Sequence, residues 1–562
     1  MQVCELYNKE SITIGSYLTK CGVKNVEEYL NPTGKYIDEW WKYEDIPYAC
    51  QEIEYWSKLD STVFIIQDGD VDGICSTVIL YQYLMKLSDK WNIQILIHDG
   101  KQRGLDDENI MSRIREERPD LVIIPDAGTN NYEQANELCE LGIGLIVLDH
   151  HDIVTPIDKG YLANNQDPRY NVSRNGSGAL VTHKFLQGLD NQFGLDWSKY
   201  FIDLVALSLV SDSMIMSEME NREYYHFGLE TRDCVNNEFL GAMIDRFIGS
   251  DTYTQRDLGF KIIPKLNSVC RCNDVELKQQ LILAFIGQCD INETLDMVEQ
   301  AHQNQIKIVD DVIQNNMDTI LSCGQNNLIV FASDDVPRSY SGLLAGKIKT
   351  LCDNKPTIVG SIKDDIMIGS LRSPIPLREE LDNNELVDWA SGHEESCGVQ
   401  IQVDNIQALV DYYNTIEISY TPHIDVLKSY SIKSIPTRLF GLFEPYSALW
   451  GCGVNKPKFY IKNITFTPSD WSIIGKNKRT LKLHKEGIDI MIFNCLKKDK
   501  EDLQLGHYEN EIFVSDPSNN KLQMDCVGEL SVNEWNGQKK LQIIVDKMEI
   551  KCYNKPCKDD LF

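Results

Sequence analysis

Aspartates gather at three places where an apolar run ends. Val63–Gln67 leads into Asp68-Gly-Asp-Val-Asp-Gly73, Leu121–Ile124 into Pro125-Asp126, and Leu145–Leu148 into Asp149-His150-His151. Carboxylates held together without bases repel, and burying them unpaired costs several kcal/mol per charge. Divalent cations remove that cost. Oxygen ligands with an imidazole suit manganese or magnesium better than structural zinc, which prefers Cys and His. Two such ions a few ångströms apart can activate water and steady both oxygens of an in-line phosphoryl displacement. Taken singly, each aspartate is as readily a solvated turn residue, because Asp-Gly is common in turns. Three acidic strand ends, one followed by two histidines, favour a metal centre.

The elements that must position these groups follow from periodicity. Ile74–Leu87 has apolar residues at helical spacing, and Ile93–Ile97 reads as another short buried strand. Strands alternating with helix-length segments predict an α/β fold with a parallel sheet covered on both faces. Open parallel sheets bind ligands beyond the carboxyl ends of their strands, so the acids should converge in one crevice.

Around this α/β domain, placed at residues 61–235, the chain divides further. Residues 1–60 read as a helical lead-in and 236–322 as a helical connector, rich in Gln, Asn and Asp from about 276. A second α/β domain is expected over 323–425, with strands at Leu328–Ala332, Thr357–Val359 and Ile366–Gly369 and a helix at Leu343–Leu351. Beyond Pro436 short alternating runs such as Lys458–Ile461, Ile488–Phe493 and Leu541–Val545 predict a small all-β barrel over 436–550. Lys456, Lys458, Lys476, Lys478, Arg479 and Lys482 lie there beside Phe459, Tyr460 and Trp471. Cations that follow phosphates and aromatics that stack bases are how such barrels hold single strands. An ordinary basic face over an aromatic core has the same composition.

The chain of 562 residues is long enough for three or four domains at ~150 residues each. Lys and Arg number 55 against 85 Asp and Glu, a net charge of −30. That balance excludes a protein that coats duplex DNA or anionic membrane with its whole surface, but not a local basic groove. No uninterrupted apolar run reaches the ~18 residues of a membrane span, and the first ten residues lack signal-peptide character. The 17 cysteines form no pair of CxxC hooks, and Cys270-x-Cys272 alone does not make a zinc site. Reduced thiols in a cytoplasmic protein are the expectation.

Asp149-His150-His151 resembles the signature of the DHH phosphoesterase superfamily. Asp68-Gly-Asp-Val-Asp-Gly73 is similar to its first motif, Pro125-Asp-Ala-Gly-Thr-Asn130 to its second, and Asp203-Leu-Val-Ala-Leu-Ser-Leu-Val-Ser-Asp212 to the segment carrying the last metal-binding aspartate. Within the superfamily the chain resembles the RecJ group of single-strand-specific 5′→3′ DNA exonucleases. Gly178-Ala-Leu-Val-Thr-His-Lys184, Pro264-Lys-Leu-Asn267 with Arg271, Gly369-Ser-Leu-Arg-Ser373 and Ser391-Gly-His-Glu-Glu-Ser-Cys-Gly398 follow in the RecJ order. Phe443-Glu-Pro-Tyr446 through Asn455-Lys-Pro457, and Glu529-Leu-Ser-Val-Asn-Glu-Trp-Asn-Gly537, are similar to its OB-fold. The resemblance spans roughly residues 60–550.

It implies a DHH domain, a DHH-associated domain and an OB-fold barrel. It also implies ligation of two manganese or magnesium ions by Asp70, Asp72, Asp126, His150 and Asp212, with Asp126 placed between the ions. Asp68 stands where some relatives use an upstream histidine and is the candidate for a further ligand. Asp149 would orient an imidazole, His151 would face the scissile phosphate, and His393 would stand at the catalytic cleft. Ser370, Arg372 and Arg271 match residues that hold a 5′-terminal phosphate, a task suited to guanidinium forks and a hydroxyl donor. RecJ proteins usually carry an arginine and an EGYGL-like segment after the second strand. Here the run is Ile97-His98-Asp-Gly-Lys-Gln-Arg103-Gly-Leu105, so His98 or Arg103 would take that phosphate contact.

The implied function is removal of nucleotides from the 5′ end of single-stranded DNA in repair, recombination or replication. The implied molecule is a cytoplasmic monomer with single-strand-binding protein as a partner and no membrane. A DHH phosphodiesterase for short oligonucleotides or cyclic dinucleotides is the enzymatic alternative, and an inactive nucleic-acid-binding scaffold the alternative of another class.

Overall fold

The computed structural model describes residues 2–7, 11–98, 103–416, 423–475, 479–493, 495, 497–509, 512–535 and 538–552. They form two compact units. One comprises residues 33–214 and 218–420, the other residues 1–32, 215–217 and 421–562.

In the first unit, β1 (Thr62–Gln67) is followed by α1 (Val71–Leu87), β2 (Asn92–Ile97), β3 (Leu121–Pro125), β4 (Gly144–Asp149) and β5 (Tyr161–Asn164). All five strands are parallel, in the order β2-β1-β3-β4-β5. Strands covered on both faces have no use for alternation, so β1, β3 and β4 read as continuous apolar runs and are buried almost throughout. The chain leaves β1 for β2 on one side and returns to β3 on the other. This reversal opens a crevice between the carboxyl ends of β1 and β3, where Asp68 and Asp126 stand. The fifth strand, four residues ending in Asn164, is too short to stand out in the sequence. Helices α2 (Gly178–Phe193) and α3 (Ile202–Ser211) pack on α1 and on each other. Both are buried over most of their length.

Helices α4 (Ile263–Cys270), α5 (Val275–Phe285) and α6 (Ile291–Asn315) lead to the second sheet of the same unit. It contains β6 (Ile329–Ala332), β7 (Thr357–Lys363), β8 (Ile366–Arg372), β9 (Trp389–His393) and β10 (Ser396–Gln402), with α7 (Ser341–Leu351) between β6 and β7. The strand order is β9-β10-β8-β7-β6, with β9 at an edge. The hairpin β9–β10 carries the glycine-histidine motif, whose small polar residues concealed the strands.

In the second unit, Phe459–Phe466, Leu522–Trp535, Gln538–Cys552, Ile488–Ile492, Thr480–Lys485 and Trp471–Ile474 are neighbours in a seven-stranded sheet that begins with Ser429–Ser431. Alternate residues such as Phe459, Ile461, Leu481, Leu483, Ile490 and Ile543 form its interior. The lead-in expected over residues 1–60 is divided: Gln2–Glu5 pairs in parallel with His423–Val426, and Tyr17 donates from Oη to the Asn455 carbonyl at 2.6 Å. Among the described residues the cysteines from Cys4 to Cys526 are free thiols, and no helix is long and apolar enough to cross a membrane.

Candidate active site

The acidic strand ends meet at the crevice. Asp68 and Asp126 are almost fully buried at the ends of β1 and β3, and Asp72 in the first turn of α1 is equally buried. Asp70 caps α1, accepting from the Gly73 amide at 3.1 Å, and Asp212 caps the end of α3. His150 Nε2 lies 3.2 Å from Asp126 Oδ1, 3.6 Å from Asp212 Oδ2 and 3.7 Å from Asp72 Oδ2.

Among the described residues, three sets of ligand atoms lie within 4.8 Å of one another: Asp126 with His150 and His151, Asp72 with His150 and Asp212, and Asp68 with Asp70 and Asp126. Asp126 and His150 each belong to two sets. Their electrostatics fit divalent cations. Burial pushes Asp68 and Asp72 up to about 6, and burial with four neighbouring carboxylates pushes Asp126 well above the usual range. Asp68 Oδ1 is buried without a hydrogen-bond partner, and Asp126 Oδ1 meets only the His150 ring nitrogen, as expected of oxygens that serve an ion. Asp126 also adopts a left-handed backbone, φ 68°, a conformation that costs a non-glycine residue energy and tends to persist at functional sites.

Asp72 differs from the others in one respect. Its two oxygens accept from the Gly178 and Ala179 amides at 2.7 and 2.9 Å, so the N-terminus of α2 clamps it. The Gly178–Lys184 segment therefore acts on the site through Asp72, a link without any signal in local spacing.

Asp149 accepts from the amides of Thr129, His150 and His151 and from His151 Nδ1 at 2.8 Å. Burial raises its carboxyl, but the bond and charge of His151 outweigh burial and hold it far below the usual range. In return, Asp149 overcomes the effect of burial and pushes His151 up to about 9. Arg103 approaches His151 Nε2 at 2.8 Å. A guanidinium only donates, so this contact requires the neutral ring with its proton on Nδ1. A proton on Nε2 and the Arg103 contact exclude each other.

A second cluster forms around β8. Arg372 is half-buried, and burial together with the nearby Arg271 charge lowers its pKa. No carboxylate pairs with either arginine among the described residues. Ser370 Oγ lies 2.9 Å from Ser341 Oγ at the start of α7, where a Cβ on Gly342 would strike the Arg372 guanidinium. Two nearby guanidiniums, a hydroxyl and a helix N-terminus make a place for an anion.

Other expected residues lie elsewhere. His98 is buried with Nδ1 3.1 Å from Asp107, and its carbonyl accepts from Lys278, so its ring is not presented to a phosphate. Trp471 is buried edge-on against Phe466 and serves the barrel core rather than an open stacking surface. Lys456, Lys458 and Lys482 are paired with Glu529, Asp546 and Asp489, while Arg479 is exposed. Lys476 and Lys478 lie outside the described residues. His393 is exposed at the end of β9, and among the described residues no hydrogen bond or ion pair joins it to the acidic cluster.

Residues 62–209 match the DHH family, N-terminal domain, and residues 441–547 match the RecJ OB domain. The chain thus carries a DHH-family domain and a RecJ-type OB domain, and its likeness as a whole is to RecJ proteins. It is 24% identical to the SPbeta prophage protein YorK of Bacillus subtilis, named a single-strand DNA-specific exonuclease, over 96% of both chains. It is also 24% identical to the single-stranded-DNA-specific exonuclease RecJ of Bacillus subtilis, over 88% of this chain and 62% of that one. The crystal structure of RecJ with Mn2+ from Thermus thermophilus shares the fold, with a TM-score of 0.74 at 19% identity over 95% of this chain and 75% of the other.

Proposed function

We propose that this protein is a metal-dependent nuclease that hydrolyses single-stranded DNA from its 5′ end. The observation that carries the reading is the position of Asp126, whose carboxylate is shared between the Asp68–Asp70 set and the His150–His151 set. A carboxylate so placed would serve both sets of ligands when cations are bound. Asp68, Asp70, Asp72, Asp126, His150 and Asp212 would hold manganese or magnesium, which when bound supplies an activated water and stabilises charge on the phosphoryl oxygens. The RecJ relatives named above support the substrate class.

The chain's own groups do the rest. Asp149 holds the His151 ring by Nδ1 and leaves Nε2 facing the crevice, where a proton on it can meet the charge developing on a phosphoryl oxygen. Arg103, which lies 3.9 Å from Asp68 as well as against His151, would donate to a phosphate seated in the crevice. Ser370, Arg372 and Arg271 receive a terminal phosphate, whose extra charge distinguishes it from an internal diester. The residues that would hold the metal do not distinguish one linkage from another, so this pocket would set the direction. The basic residues of the barrel, Arg479 among them, would track the rest of the strand.

The test is a time course on 5′-phosphorylated single strands labelled at the 3′ end, with manganese, with magnesium and with chelator. Stepwise shortening from the 5′ end that needs metal is expected. Degradation from the 3′ end would refute the polarity, and preferential hydrolysis of a dinucleotide would transfer the assignment to a short-oligonucleotide phosphodiesterase.

A further inference from the structure

Trp389 stands on the edge strand β9 with 37% of its surface exposed, an unusual place for an indole. It belongs to none of the sites assigned above. Its backbone pairs with Gln400, and two residues on Ser391 pairs with Gly398, which in turn pairs with Ser370 on β8. Directly opposed residues of antiparallel strands point to one face, and so do alternate residues along a strand. Trp389, Ser391, Gly398, Ser370 and Arg372 therefore share a face of the sheet.

The indole leans across Gly398. A Cβ there would lie 3.2 and 3.5 Å from two ring carbons, so only glycine leaves the ring this position without crowding. From Gly398 to Ser370 is one strand spacing, ~5 Å. That is comparable with the reach from a nucleotide's 5′-phosphate to its own base. The ring is also fixed. Nε1 donates to Gln400 Oε1 at 3.1 Å, Gln400 donates to Asp388 at 3.1 Å, and Gln402 donates to the same carboxylate oxygen at 2.9 Å. A ring held in place before binding loses little freedom when a ligand stacks on it.

We infer that Trp389 is the platform on which the 5′-terminal base stacks when its phosphate occupies the Ser370–Arg372–Arg271 pocket. The inference rests on the nuclease reading and adds a residue that selects for a base at that end. Stacking needs only a π-face, so all four bases are accepted, with purines favoured by their larger rings.

The experiment measures affinity of the full-length chain with manganese for two 5′-phosphorylated strands, one ending in adenine and one in an abasic sugar. Phosphorothioate linkages slow their cleavage. The wild type is expected to prefer the adenine strand by about tenfold. Trp389→Leu should bring the ratio to within twofold of one, and Trp389→Phe should keep most of it. Adenine-strand binding should quench indole fluorescence more in the wild type than in Trp389→Phe, which supplies a readout if the leucine variant fails to fold. A wild-type ratio near one, an unchanged ratio in Trp389→Leu, or equal quenching in wild type and Trp389→Phe overturns the inference. Cleavage and 5′-phosphate preference of the wild type are scored separately. If they hold while the base ratio fails, Trp389 alone is misassigned. If the wild type neither binds nor cuts single strands, the nuclease reading falls and takes the platform with it.

Discussion

The acid cluster opposes the stability of the metal-free protein, and Asp68→Asn measures by how much. In the fold Asp68 titrates at about 6, raised from 3.8 chiefly by burial. The folded state therefore binds this proton more tightly than the unfolded chain does. The contribution of Asp68 to stability is most favourable below pH 4, declines as pH rises through the interval to 6, and is flat above it. The shift of about two units corresponds to roughly 3 kcal/mol at neutral pH. Asn keeps the shape, and no hydrogen bond to Asp68 Oδ1 is lost because none exists. The variant should thus unfold at a higher temperature than wild type in chelator at pH 7.5, by about 4 °C for a unit this large. Manganese should raise the wild type more than the variant, since a ligand that binds only the fold adds RT ln(1 + [L]/Kd) and the variant binds it less tightly. Thermal unfolding with chelator and with manganese, at pH 5 and pH 7.5, reads all of these quantities. An Asp68→Asn protein that is less stable than wild type in chelator at pH 7.5 would refute the account of the cluster as charge awaiting cations.

Asp126→Ala and His150→Ala should abolish cleavage of single strands while leaving circular dichroism close to wild type; near-normal turnover with manganese in either would remove the two-ion centre. Arg372→Ala should cost ten- to a hundredfold in rate on 5′-phosphorylated strands, the value of one charge-assisted bond at ~1.5–3 kcal/mol, and should erase the preference over 5′-hydroxyl ends in paired initial-rate assays. Affinity for long single strands, measured from 50 to 300 mM salt, should fall with a log–log slope of ~0.7 per contacted phosphate, and a flat line would argue against backbone tracking. His183 is buried between Tyr224 Oη and the Ser198 carbonyl, and burial with the neighbouring Lys184 lowers it to about 3. Because the unfolded imidazole takes up a proton near 6.5 and the folded one does not, stability is lost as pH falls below 6.5, by about 2 kcal/mol at pH 5. His183→Gln should remove that part of the difference between denaturation curves at pH 7.5 and pH 5.

What is legible in the sequence is whatever is written in local order. Val63–Gln67, Leu121–Ile124 and Leu145–Leu148 are apolar because strands buried on both faces must be, and the acids that follow them are contiguous in the chain. Their convergence in one crevice follows from parallel topology, so the α/β class and the acidic cluster with His150 were both visible. Tertiary structure alone decided which side chains face what. Asp72 is clamped by the amides of Gly178 and Ala179, more than a hundred residues away. His98 and Trp471 have the chemistry of nucleic-acid contacts, yet both are interior, because burial depends on neighbours from other elements. The division of residues 1–60 between two units, the short fifth strand and the glycine-rich hairpin left no periodic trace. Trp389 is the converse case: nothing beside it in sequence marks it, and only the register of β9, β10 and β8 puts it over Gly398 on the sheet face that carries Ser370. Periodicity reports the environment averaged along an element, whereas a site depends on single side chains meeting across elements, and only the completed packing specifies that.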